Sequence, residues 1–164
     1  MKIMEVSRLL SGVIAGFVAT APMSLVMEGI KLLLPSHESY ALPPAKIAFN
    51  ASNKAGHLPS SKEEQTILIL LAHFGAGAGF GLFFGLGSIA SKKPQNGLVR
   101  GSMFGLLVWS VNYLGLMPAL NLHNSAEKEP IRRNALMIMA HLVYGITTDQ
   151  VFKRLDPILK KKLS

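Results

Sequence analysis

Residues 66–90 read TILILLAHFGAGAGFGLFFGLGSIA, an apolar run with no Lys, Arg, Asp or Glu. A bilayer core of roughly 30 Å needs about 20 helical residues, so this stretch is long enough to cross one. Its density of glycine fits a helix packed among others in lipid, where small residues let backbones approach closely. Three further apolar blocks flank it, at about 9–34, 98–120 and 135–152. The pattern predicts an all-α polytopic membrane protein, four transmembrane helices in a Gly-rich bundle, organised as one transmembrane domain over 1–164 with an extramembrane connection at about 35–65. Lys2 and Arg8 before the first block, and Ala19-Thr20-Ala21 within it, mimic a signal peptide. The apolar run continues past that point and Pro22 would follow the cut, so an uncleaved span is expected.

Composition supports the same class. A hydrophobic fraction of 49% with 16% charged residues and a mean hydropathy of +0.35 is too apolar for an ordinary soluble domain. The absence of cysteine removes disulfides, thiolate metal sites and cysteine nucleophiles. The net charge of +8 resides in the connections and the tail, which points to anionic lipid head groups at the basic C-terminal end and not to nucleic acid. Lys2, Arg8, Lys92, Lys93, Arg100, Lys153, Arg154 and Lys160 to Lys162 outnumber Lys31, Lys46, Lys54, Lys62, Lys128, Arg132 and Arg133 on the other side. The imbalance places both termini in the cytoplasm of a bacterial inner membrane protein.

Small residues recur every four positions in each block. The rows are Gly12, Gly16, Thr20, Ser24, Glu28; then His73, Gly77, Gly81, Gly85; then Gly97, Gly101, Gly105; then His141, Gly145, Asp149. A four-residue step overshoots a helical turn by about 40°, so each row is a slanted ridge suited to helix crossing. Gly12 to Gly16 answers Gly101 to Gly105, and Ala72-His73 with Gly77 answers Ala140-His141 with Gly145. Two repeated helical hairpins related by an axis along the membrane normal would give this pattern. In the first connection, Pro35, Pro43, Pro44 and Pro59 preclude one continuous helix. Ala45 to Ala55 is expected as a short amphipathic helix with Ile47, Ala48 and Phe49 toward lipid.

Ionisable and polar groups inside spans are costly and face the bundle interior. Counting residues from the span ends puts Glu28, His73, Tyr113 and His141 at one depth, on the side of the first and third connections. They are the candidate proton-responsive layer, with Ser24, Asn112 and Asp149 as secondary candidates. His37, His57 and His123 lie in the connections of that side and would sense external pH if it faced outward. Interhelical hydrogen bonding without further function is the plain alternative for His73 and His141. No cofactor is assigned; a b-type haem or a divalent metal at His73 and His141 is a minor alternative. Ser24 beside His73 is the nearest approach to a nucleophile and base, but neither GxSxG nor HExxH occurs, so no enzymatic activity is expected. Trp109 and Tyr144 read as packing residues.

Ala15-Gly16 with Ala19-Thr20-Ala21-Pro22-Met23, Leu42-Pro43-Pro44, Ala72-His73-Phe74-Gly75 and His141-Leu142-Val143-Tyr144-Gly145 together resemble the YagU-like family of bacterial inner-membrane proteins. The resemblance implies a multi-spanning protein associated with acid resistance, with no established mechanism or cofactor. Two expectations follow. One is an acid-stress or envelope protein whose polar layer responds to protons or conducts a small solute. The other is a structural or accessory subunit whose glycine ridge docks a membrane partner or a second copy.

Overall fold

A computed structural model describes residues 3–38, 43–57, 59–90, 96–121 and 125–164. Lys2, Leu42, Lys92, Lys93 and His123, all used above, lie outside the described residues. Among the described residues the fold is made of five main helices: α1 (Ile3–Lys31), α2 (Pro43–Lys54), α3 (Lys62–Ala90), α4 (Gly97–Ala119) and α5 (Ile131–Leu163). All but α2 are long and apolar enough to cross a membrane, and no strand occurs among the described residues.

The helix ends follow local chemistry. α1 stops at Lys31, short of the apolar block's end at Leu34, because Pro35 disfavours helical geometry in the residue before it. Leu32 and Leu33 are left 85% and 80% exposed. α2 begins on Pro43-Pro44, whose fixed φ suits a first turn. It closes with Gly56 at φ +75°, where the Gly56 N–H reaches Asn53 O at 3.0 Å and the His57 N–H reaches Ser52 O at 3.0 Å. This pair of bonds is a Schellman cap, which needs a left-handed residue at that position. At the start of α3 the Ser61 hydroxyl accepts from the Glu64 N–H at 3.1 Å, and Glu64 reaches back to the Ser60 N–H at 2.7 Å and to His57. Asn96 caps α4 through the Leu98 N–H at 3.0 Å.

α4 is not uniform. Val111–Leu116 form a π turn in which the Met117 N–H bonds back to Asn112 O. The cause is Pro118, which lacks an N–H and whose ring would collide with the Leu114 carbonyl in a regular α-helix. Widening the turn removes that collision. α5 begins earlier and ends later than the apolar block at 135–152, since charged residues extend it at both ends as helix.

In space the membrane helices run α3, α1, α5, α4: α1 packs on both α3 and α5, and α5 on α4. The consecutive helices α3 and α4 approach mainly through the rings of Phe84 and Phe104, 4.9 Å apart. Backbone meets backbone at the glycines. A methyl group added at Gly12, Gly16, Gly81 or Gly85 would come within 3.0 Å of the facing main chain across the α1–α3 crossing; the same holds at Gly101, Gly105 and Gly145 between α4 and α5. At Gly77 the collision would be with the Thr20 side chain. The two crossings are one helical turn out of step with the sequence repeat: if His73 and His141 are equivalent, Gly77 matches Gly145, yet Gly16 faces Gly77 and Gly81 while Gly105 faces His141 and Gly145.

Between these seams lies a core of Ala19, Met23, Met27, Val108, Tyr113, Met137, Ala140 and Tyr144. α2 packs against α3, closing this end. Two of the three residues expected toward lipid turn toward the bundle: Ala48 is 4% exposed and Ile47 lines the cavity between the helices, while Phe49 stays half-buried in an open groove beside Asn53 and Asn121. A packed protein surface removes more water from Ile47 and Ala48 than a headgroup layer does.

Candidate functional site

A cavity of ≈ 70 Å³ sits in the α2-side half of the bundle. α1 contributes Thr20, Met23 and Met27, whose spacing of three and four residues puts them on one face. α3 contributes His73 and Gly77, α5 His141 and Tyr144, and the π turn of α4 brings in Asn112, Tyr113 and Met117. Pro44 and Ile47 of α2 complete the wall. A widened turn at a functional cavity is a recurrent use of π geometry, because it re-aims side chains that a regular helix would spread elsewhere.

Hydrogen bonds fix both imidazoles. His141 Nδ1 lies 2.7 Å from Met137 O; a carbonyl only accepts, so Nδ1 carries the hydrogen. Ser24 Oγ donates to Thr20 O at 2.8 Å and lies 3.2 Å from His73 Nδ1. With its hydrogen committed to the carbonyl, the hydroxyl accepts from His73, which again places the hydrogen on Nδ1. Each Nε2 is then a bare lone pair, and among the described residues neither has a protein partner. The ring of Tyr113 stands edge-on to that of His141, centroids 5.7 Å apart, and Trp109 stacks on Tyr113 at 6.1 Å. Tyr144 donates its hydroxyl to Gly77 O at 2.7 Å, tying α5 to α3 beneath the cavity.

Two charged layers bracket this site. On the α2 side, Arg133 is 2% exposed, donates to Glu38 O at 2.8 Å and pairs with Glu129 at 3.6 Å. Burial raises the Glu129 carboxyl above its ordinary value, with Arg133 opposing the shift. Toward the termini, Asp149 is paired with Arg100 at 2.5 Å and with Lys153 at 2.9 Å. Beside them Ser7 donates to Asp156 at 2.8 Å and Arg8 donates to Ser88 O at 2.8 Å.

The structure thus brings His73, His141, Tyr113 and Asn112 to one cavity, with Ser24 behind His73. It does not bring Glu28 or Asp149 there. Glu28 is exposed on α1, because it follows Met27, which faces in, by a rotation of about 100°. Asp149 is two turns, about 12 Å, along α5 from His141 and belongs to the terminal ion pairs. The Ser24–His73 pair is adjacent, but a hydroxyl that donates to Thr20 O is not aligned as a nucleophile for that imidazole. Sequence reasoning passed over Met23, Met27 and Met117 as site residues and read Tyr144 as packing alone. The spacing of Thr20, Met23 and Met27 was the available signal for the first two; Met117 depends on the π turn.

The chain belongs to a family of unknown function, DUF6789, which matches residues 6–162. No curated protein and no solved structure matches it. The family carries no function to transfer, and neither the YagU-like resemblance nor acid resistance is part of that assignment.

Proposed function

We propose that this multi-pass membrane protein uses the cavity between α1, α3, α4 and α5 to accept a small solute or a proton inside the bilayer, with His73 and His141 as the accepting groups. One observation carries the reading: both Nδ1–H groups are held by the protein, so both Nε2 lone pairs are left for whatever occupies the cavity. Two imidazoles retained for bundle packing alone would be expected to spend both nitrogens on protein partners. A porphyrin needs far more room than ≈ 70 Å³, which weighs against a haem at this pair. Acid stress, implied by the YagU-like resemblance, is a physiological setting in which proton acceptance would matter. The Lys and Arg distribution supports an inner-membrane location with cytoplasmic termini, which belongs to the same proposal.

The test is proton flux in liposomes containing the purified protein, compared with His73→Ala and His141→Ala after each has been shown to fold. Reduced flux and poorer acid survival in both variants are expected. Flux equal to that of the unaltered protein in both would end the proton-accepting reading.

The accessory-subunit reading draws on a different feature. A methyl group at Gly75, Gly79 or Gly87 would meet nothing within 4 Å, so a second small-residue row on α3 faces away from α1. A bulky substitution there, Gly79→Leu, would dissociate a membrane partner or second copy while leaving the cavity intact, and an unchanged assembly state in native membranes would remove this reading.

A further inference from the structure

We infer that the cavity is a site for a soft monovalent d10 cation, Cu(I), held by Nε2 of His73 and His141 together with thioether sulfurs from Met23, Met27 and Met117. The inference rests on the solute-binding reading above and names its ligand class. Donor chemistry comes first. Three methionines line a cavity of ≈ 70 Å³ beside two imidazoles, and all three are buried, at 7%, 2% and 3% exposure. Methionine commonly fills irregular gaps; here it does so beside two imidazoles whose Nδ1–H groups are already held by the protein. An imidazole that donates its other N–H to a carbonyl or hydroxyl is the usual state of a metal-ligating histidine. His141 does so to Met137 O and His73 to Ser24.

Charge selects the valence. Among the described residues no Asp or Glu lines the cavity, and no group of three His, Cys, Asp or Glu suited to a metal occurs. A divalent ion would therefore enter a low-dielectric site with neutral ligands alone. The solvation cost of an ion grows with the square of its charge, so a monovalent ion meets roughly a quarter of that penalty. Hard cations such as Mg²⁺ and Ca²⁺ want oxygen ligands, whereas thioether and imidazole suit Cu(I). Size agrees. A cavity known to take benzene measures about 150 Å³; one of ≈ 70 Å³ suits an ion and its ligand tips better than an organic molecule.

Ag(I), a redox-inert d10 stand-in, is the probe. The protein is purified in detergent with methyl-¹³C methionine, in a His37→Ala, His57→Ala, His123→Ala background that removes the connection imidazoles. Silver is then titrated against a competing chelator. One Ag(I) per chain is expected, with methyl shifts at Met23, Met27 and Met117, assigned by single Met→Leu variants, and none at the exposed Met4, Met103 and Met139. Met27→Leu and Met117→Leu conserve volume and should each weaken silver binding by about tenfold, or 1.4 kcal/mol. Zn²⁺ should not bind at equal concentration. No stoichiometric silver, shifts confined to exposed methionines, or equal binding of Zn²⁺ would each overturn the inference. Proton flux is measured on the same preparations. Flux that depends on His73 and His141 without silver binding rejects Cu(I) and leaves the proton-accepting reading standing; silver binding without that flux keeps the Cu(I) site and rejects proton acceptance.

Discussion

Replacing Gly81 by alanine should destabilise the protein, while the same replacement at Gly79, two residues earlier in α3, should not. Both positions are interior to one helix, so both gain up to about 1 kcal/mol of helix propensity. They differ in what the new methyl meets. At Gly79 nothing lies within 4 Å, whereas at Gly81 the methyl comes within 3.0 Å of Gly12 O and of the Gly16 Cα, which are main chain and cannot swing aside. α1 and α3 must separate along their whole crossing, an overpacking cost of about 1–3 kcal/mol. Because propensity cancels in the comparison, Gly81→Ala should be less stable than Gly79→Ala by that amount. For a chain of this size each kcal/mol corresponds to roughly 2–4 °C in Tm. Denaturation in mixed micelles, followed by the fluorescence of Trp109, the single tryptophan, would measure the difference. If Gly81→Ala unfolds at or above the midpoint of Gly79→Ala, the close α1–α3 backbone contact is not what holds these helices together.

Tyr144→Phe removes the hydroxyl donated to Gly77 O and should cost about 1 kcal/mol in the same assay, with little change in helix content by circular dichroism. Asp149→Asn leaves Arg100 and Lys153 without their shared carboxylate; since Arg100 and Lys153 are partly exposed, a loss of roughly 1–3 kcal/mol is expected, diminishing at high salt. Gly56→Ala forces alanine into a left-handed backbone at φ +75° and should cost about 1–2 kcal/mol, seen as faster proteolysis between α2 and α3.

The number of spans, their helical nature and most of the cavity's polar residues were legible in the sequence, because hydrocarbon thickness and residue rise fix how deep each side chain lies. His73, His141 and Tyr113 could be placed at one depth by counting alone. Rotation about the helix axis is harder to read. The row from Gly12 to Glu28 drifts by about 40° per step, so by Glu28 it has left the face that began at Gly12 and points outward. Pairing was not legible either. A glycine row announces that some backbone can come close, but not whose, and nothing in the sequence said that α1 would sit between α3 and α5. The π turn needed knowledge of how Pro118 is accommodated, and with it went Met117. The inward turn of Ile47 and Ala48 depended on α3 offering them a packed surface.

The spatial order α3, α1, α5, α4 has a consequence for biogenesis. α1 with α3, and α4 with α5, are partners close in sequence that can pair soon after leaving the ribosome. The seam between the two pairs is made by α1 and α5, the two of these four helices farthest apart in sequence. Until α5 arrives, one flank of α1 is offered to lipid or to quality-control proteases, so the cavity acquires the wall that carries His141 and Tyr144 only once α5 has entered the membrane.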